Sequence, residues 1–291
     1  MSNGMIGIIG GSGLGQTLIN HIGSVRYEEV DTPFGKPSAP IVIGHMGGRE
    51  VAFLNRHGEN HTYCPTSVPY AANIFALKKL GVTAVIASGA VGSLREDVCP
   101  QDLVVVDQFI DKTTQRRNSM FAGFGAVHAE FSHPCCERLR QAILAAGEKV
   151  GVTTHHFGTY VCMEGPQFST RAESLMHKSW GADLIGMTAM PEAKFAREAQ
   201  MCYSLIALAS DYDCWKEHDI TLGKKELLAE IIGHLNAATK NAIELIETVL
   251  KTDGELCDNE CSCRKSLELA VWTAPEAQDE KKKQDLSVLF E

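Results

Sequence analysis

Short apolar runs alternate with stretches of helical period through about the first 250 residues, a pattern that predicts an α/β fold. Residues 5–9 predict a buried strand ended by Gly10-Gly11-Ser12-Gly13, and residues 51–54 another, broken at Asn55-Arg56-His57-Gly58. Residues 69–80 carry helical spacing through Tyr70, Ile74 and Leu77, with Gly81 as the stop. Residues 82–87 predict a buried strand running into Ser88-Gly89-Ala90, 103–106 a further strand, and 137–150 a helix. A strand over 159–163 ends at Glu164-Gly165-Pro166, and Thr170 with Glu173 makes a capping box for a helix reaching Trp180. Residues 182–187 predict a short strand, and Pro191 opens a helix from its first turn. Residues 204–209 form the last strand, ending at Ser210-Asp211-Tyr212-Asp213, and 224–251 carry a long helical period. The division expected is one domain over residues 1–252 and a polar, Cys-containing tail over 253–291, partly mobile or packed on a neighbour.

Composition narrows the function classes. The chain has 291 residues, 44% hydrophobic and 22% charged, which suits a globular protein with a buried core. Its formal charge of −9 argues against nucleic-acid or anionic-membrane partners. The first 25 residues lack a basic segment and include seven glycines, and no stretch supplies the roughly 20 apolar residues of a membrane span. A cytoplasmic protein is expected. The ten cysteines are scattered rather than set in a short secreted framework, although Cys257, Cys261 and Cys263 cluster in the tail. Their number leaves the redox state open, and metal binding by the tail cysteines is not expected.

Candidate chemistry gathers just after the strands, where open α/β sheets bind ligands. Gly10-Gly11-Ser12-Gly13-Leu14-Gly15 is either an anion cradle or a tight turn; it fits neither G-x-G-x-x-G nor a Walker A loop. Arg56 and His57 are either phosphate ligands or a surface arginine beside a core histidine. His57 and His61 have H-x-x-x-H spacing, but Gly58 and Asn60 disfavour a helix and no third ligand is evident, so no metal is expected. Asp211 and Asp213 are either a paired acid site or a solvated turn; as an acid at neutral pH, an aspartate needs burial or a like charge beside it. Phe168 either stacks on a planar ring or fills the core.

Eight ordered blocks decide between these readings. They are I-G-I-I-G-G-S-G-L (6–14), D-T-P-F-G-K-P-S (31–38), N-R-H-G (55–58), G-S-L-R-E (92–96), D-Q-F-I-D (107–111), E-G-P-Q-F-S-T-R-A-E (164–173), G-M-T-A-M-P-E (186–192) and S-D-Y-D-C-W-K-E-H (210–218). The chain resembles the purine nucleoside phosphorylase family over about residues 5 to 250, most closely the branch acting on S-methyl-5′-thioadenosine. The resemblance implies a single α/β domain around a mixed sheet with a distorted barrel, flanked by helices and assembled as trimers or hexamers. It also implies phosphorolysis to adenine and 5-methylthioribose 1-phosphate, with no metal, no cofactor and inorganic phosphate as co-substrate.

By position, the resemblance puts Ser12, Arg56, His57, Gly89, Ala90 and Thr188 at the phosphate. Met187 falls under the ribose, Phe168 against the purine, and Asp211 and Asp213 at the base, with Asp211 assisting its departure at N7. His128 aligns with a histidine that reaches the 5′ end of a neighbouring subunit's ligand. Relatives selective for 6-oxopurines carry glutamate and asparagine where this chain has Ser169 and Asp211; an ionised carboxylate only accepts hydrogen bonds, which suits a 6-amino group. Lys224 stands where human-type relatives place an apolar residue, with Leu227 and Leu228 still offering an apolar wall, and Gly89 replaces a common threonine. Some thermophilic relatives form a C-x-C disulfide matching Cys261-Cys263, and another at the positions of Cys136 and Cys202. The rivals are a phosphorylase for adenosine or 6-oxopurine nucleosides, a hydrolytic nucleosidase, a dinucleotide-dependent oxidoreductase and a non-catalytic binding module.

Overall fold

The structure is a computed structural model and describes residues 4–217 and 223–291. Its strands are β1 (Met5–Gly10), β2 (Gly23–Glu28), β3 (Ile41–Met46), β4 (Arg49–Asn55), β5 (Val82–Ser93), β6 (Leu103–Val105), β7 (Gln108–Asp111), β8 (Thr154–His155), β9 (Thr159–Cys162), β10 (Leu184–Gly186) and β11 (Cys202–Tyr212). The helices are α1 (Gly15–Ile19), α2 (Tyr70–Lys79), α3 (Glu137–Val150), α4 (Arg171–Ser179), α5 (Glu192–Glu198), α6 (Lys224–Leu250) and α7 (Glu280–Asp285). None of the described helices is long and apolar enough to cross a membrane.

The strands make one mixed sheet in the order β2-β3-β4-β1-β5-β10-β9-β7, and β11 also pairs with β5 and leads on to β6 and β8. β1 lies parallel to both β4 and β5, and β11 lies parallel to β5, so the C-terminal ends of these four strands share one edge. The sheet therefore branches at β5. Its first half pairs with β1, and its last two residues reach antiparallel β10. Buried Ile6 and Ile8 face one apolar cluster with α3 and α6, and Ile9 faces the other with α2 and α5. This is the alternation of a strand packed on both faces.

The helices follow their local signals. Thr170 Oγ1 accepts from the Glu173 amide while the Glu173 carboxylate accepts from the Thr170 amide, which completes the expected capping box of α4. α3 ends at Gly151 in the left-handed region (φ 74°). Pro191 lies one residue before α5, as its N-cap, rather than within the first turn. α6 buries only its second half, from Ala238 to Leu250.

Residues beyond α6 pack on their own chain. Leu256, Cys263, Leu267, Ala270, Leu286 and Leu289 are buried in the two main clusters. Arg49 donates to the carbonyls of Leu250, Thr252 and Gly254, and the Gln200 side chain donates to that of Leu289. The polar composition reflects the outer face of this strap, while a few apolar anchors fix its inner face. All ten cysteines are unpaired, so neither expected disulfide is formed. The Cys136 and Cys202 sulfurs, and those of Cys261 and Cys263, lie within 4.8 Å but not at the roughly 2.05 Å of a bond.

Candidate active site

The strand ends bring the glycine loop, Arg56 and Gly89 together. The Arg56 amide donates to Gly10 O, tying the end of β4 to that of β1. Its side chain is fully buried, which excludes the alternative of a surface arginine. Nε and Nη2 donate to the two oxygens of Glu192 at 2.7 and 2.8 Å, and Nη1 donates to Ser88 O at 2.7 Å. Tyr203 Oη donates to the same carboxylate at 3.0 Å. Burial works against the Arg56 charge, but Glu192 outweighs it and holds the guanidinium above its ordinary pKa. Gly11 has no room for a side chain: a Cβ there would lie 2.8 Å from Arg56 Nη1 and 3.0 Å from Ser88 O. A Cβ on Gly89 would instead meet Thr188 Oγ1 at an ordinary 3.5 Å. Ser12, Ala90 and Thr188 are half-buried around this point.

His57 is buried, with Nδ1 2.8 Å from Tyr63 O and its ring stacked on His61 at 4.2 Å. Burial, then the Arg56 cation, pushes its pKa down to about 4. At neutral pH the ring is uncharged. A carbonyl only accepts, so the proton sits on Nδ1 and Nε2 keeps a lone pair. Among the described residues no third ligand joins His57 and His61 into a metal group.

The second half of the site lies three residues further along β5, roughly 10 Å at the rise of a strand. A bulge shifts the β11 register so that Asp211 pairs with Gly92. Ser210 Oγ donates to Asp211 Oδ1 at 2.6 Å. Asp213 follows the strand, its amide donating to Ser93 O. A Cβ on Gly92 would lie 3.1 Å from the Cβ of Asp213, so the glycine permits this approach. Asp213 Oδ2 is buried without a hydrogen-bond partner among the described residues. Phe168 is 87% exposed, which excludes its reading as a core residue. The half-buried Ser169 next to it accepts at its carbonyl from the Cys214 thiol.

Met187 and Thr188 lie in the turn after β10, between the two halves. Here the structure adds residues that sequence reasoning missed. Arg116 donates to Met187 O, Met190 O, Glu164 O and Glu164 Oε1 at 2.6–2.9 Å, clamping that turn to the Glu164-Gly165-Pro166 loop. Burial opposes ionisation of Glu164, but amides of Thr114 and Gln115 and the Arg116 cation hold its pKa down at about 2. Gly165 lets the loop approach, since a Cβ there would lie 2.6 Å from Met187 Sδ. Glu192 and Glu164 both fall within the quoted motifs; what was not legible was which arginine each would meet.

The other expected residues lie at exposed or half-buried positions. His128 is exposed on the outer surface, edge-on to Trp272 at 5.1 Å, with its amide donating to Ala270 O. Lys224 is exposed at the first position of α6, Leu227 is half-buried in the same turn, and Leu228 is exposed. His218, the last residue of its motif, lies outside the described residues.

The glycine loop with Arg56, and the Asp211–Asp213 pair, therefore lie at strand ends along one edge of a mixed sheet. The phosphorylase superfamily model matches residues 5–251. The chain is 46% identical to the S-methyl-5′-thioadenosine phosphorylase of Cereibacter sphaeroides, with 94% of this chain and 93% of that one covered. It is 44% identical to that of Danio rerio over 85% and 90% of the two chains. Among solved structures it superposes on a methylthioadenosine phosphorylase from an antarctic soil metagenomic library (TM-score 0.87, 38% identity, 99% of each chain covered). It also superposes on the Schistosoma mansoni methylthioadenosine phosphorylase in complex with adenine (TM-score 0.82, 33% identity, 92% and 99% covered). The chain belongs to the phosphorylase superfamily and, within it, to the S-methyl-5′-thioadenosine phosphorylase family.

Proposed function

We propose that the protein cleaves S-methyl-5′-thioadenosine with inorganic phosphate, releasing adenine and 5-methylthioribose 1-phosphate, with no metal or cofactor in the reaction. The observation that carries the base assignment is the buried oxygen of Asp213, without a partner among the described residues, beside Asp211. A carboxylate buried in this way is costly unless a ligand donates to it. The 6-amino group of adenine donates, whereas a 6-oxo group accepts.

The reaction proceeds by attack of a phosphate oxygen on C1′ as the bond to N9 breaks, through a cationic sugar. The bonding pair leaves with the base, and Asp211 delivers a proton to N7 to neutralise it. Ser12, Gly89, Ala90 and Thr188 hold the phosphate through hydroxyl and backbone N–H groups, which makes the attack effectively unimolecular. Arg56 is neutralised by Glu192, so its offer is the two N–H bonds left of its five rather than net charge. His57 Nε2 accepts a hydrogen bond from the phosphate oxygen that bears a proton. Phe168 covers the purine, Ser169 leaves room beside the 6-position, and Met187 supports the ribose.

At the 5′ end, Leu227 supplies apolar surface and Lys224 turns to solvent. We assign His128 to the 5′ end of a neighbouring subunit's ligand in a homotrimer or a hexamer built from it; its exposed pairing with Trp272, itself 74% exposed, supports an interface there. A cytoplasmic setting agrees with ten unpaired thiols.

The experiment is release of free base from methylthioadenosine, adenosine and inosine, each with and without phosphate. Phosphate-dependent release, fastest from methylthioadenosine, is expected. Preference for inosine would overturn the base pocket, and release without phosphate would make the protein a hydrolase.

A further inference from the structure

Four cysteines from three distant segments converge at the end of β11 remote from the cleft. Cys202 is the first residue of β11, Cys136 immediately precedes α3, and Cys261 and Cys263 lie on the turn of the C-terminal strap. Their sulfurs all lie within 4.8 Å of one another, with Cys261 3.7 Å from Cys136 and 3.5 Å from Cys202. A tetrahedral ion with sulfur ligands at about 2.3 Å has sulfur–sulfur edges of about 3.8 Å. The cluster has the spacing of a coordination tetrahedron rather than of disulfides.

Backbone bonds fix these sulfurs in place. The Cys136 amide donates to Tyr203 O beside Cys202, and the Arg264 amide donates to Cys261 O across the strap turn. Cys136, Cys202 and Cys263 are buried and Cys261 is half-buried. A cavity of about 620 Å³ opens onto Cys136, Cys261 and Cys263, giving an ion a way in. Arg138, Arg140 and Arg197 line it with Asp107, Glu130 and Glu137, and Cys136 stands at the positive end of α3. Each of these arginines is already ion-paired, Arg138 with Asp258, Arg140 with Glu137 and Arg197 with Glu130, so the helix terminus at Cys136 is the local feature that favours thiolate.

We propose that Cys136, Cys202, Cys261 and Cys263 form a tetrathiolate site for a soft divalent cation, zinc fitting it best, which fastens the C-terminal strap to the sheet. Binding displaces four thiol protons and transfers no electrons. Asp211 is nine residues along β11 from Cys202, roughly 30 Å, so the ion takes no part at the cleft. Cys257, whose sulfur is 2.7 Å from that of Cys202, is the competitor, because a disulfide between these two would remove one ligand.

The test is metal analysis of the full-length protein purified without chelator, followed by cobalt substitution. About one zinc per chain is expected, with cobalt giving the visible bands of tetrahedral thiolate coordination. Chelation should release the zinc, unmask about four thiols and lower the melting temperature. Cys261→Ser and Cys263→Ser should each lose the zinc, while Cys64→Ser, at an exposed site, should keep it. If the strap variants do not fold, the cobalt spectrum of the wild type decides. Failure to take up zinc or cobalt when reduced, or a native bridge between Cys202 and Cys257, Cys136 and Cys202, or Cys261 and Cys263, would overturn the site.

Discussion

Ser210 Oγ lies 2.6 Å from Asp211 Oδ1 and 3.3 Å from the carbonyl oxygen of Val91, at the bulge in β11. A serine has one proton to give. While Asp211 is ionised, the hydroxyl donates to it. When Asp211 carries a proton, the carboxyl donates to Ser210, which turns to Val91. Both states keep their bonds, as the proposed role of Asp211 in passing a proton to the base requires. Asp211→Asn preserves the shape and removes the proton transfer. It should lower kcat about 10²-fold or more with an unchanged melting temperature. Wild-type turnover would remove Asp211 from its role.

Phe168 contributes little to the core, because its ring is 87% exposed. Base stacking on an aromatic ring is worth about 1–3 kcal/mol. Phe168→Ala should therefore raise KM for the nucleoside about tenfold, with no loss in thermal stability. A matched fall in stability would place the ring in the fold instead.

Gly89→Thr should fit, since the first added atom meets only Thr188 Oγ1 at 3.5 Å. One further hydroxyl on the phosphate is worth about 1 kcal/mol, so KM for phosphate should fall about fivefold. Gly11→Ala is the contrasting variant: its Cβ meets the Arg56 fork and the Ser88 carbonyl, and phosphate binding should weaken.

His57 links stability to pH. Its pKa is held at about 4, below the ordinary 6.5, first by burial and then by Arg56. The unfolded chain therefore binds the proton more readily than the folded one. The resulting stability is fully present above about 6.5 and is lost as pH falls toward about 4, by up to roughly 3 kcal/mol. Urea midpoints measured across that window should fall for the wild type and fall less for His57→Asn.

Glu192→Gln leaves the Arg56 guanidinium buried without its counter-charge. A loss of about 3–5 kcal/mol follows, visible as a melting temperature lower by on the order of 10 °C. An unchanged midpoint would mean that Arg56 finds another partner.

Much of this arrangement is legible residue by residue. The capping box at Thr170 and the stop at Gly81 are local, and the blocks that the resemblance assigns to phosphate and base sit at strand ends because that is where side chains leave the sheet. What is not legible depends on distant partners. β2 has no buried residue and so lacks an alternating pattern. β5 continues past Ser88-Gly89-Ala90 because β11 runs beside it and supplies the ladder. The role of Glu192 depends on Arg56, 136 residues earlier, and that of Glu164 on Arg116. In the strap, anchors such as Leu267, Leu286 and Leu289 are too sparse among charges to reveal a buried face.

On the proposed reading, in which His57 contacts the phosphate, the tautomer imposed on it by the Tyr63 carbonyl also bears on which oxyanion is accepted. Sulfate and hydrogenphosphate share a tetrahedral shape and a double negative charge, and net positive charge at Arg56 is already cancelled. An imidazole that presents only a lone pair tells the two apart, because hydrogenphosphate has a proton to share with it and sulfate has none. Selection between them then rests on the position of one hydrogen.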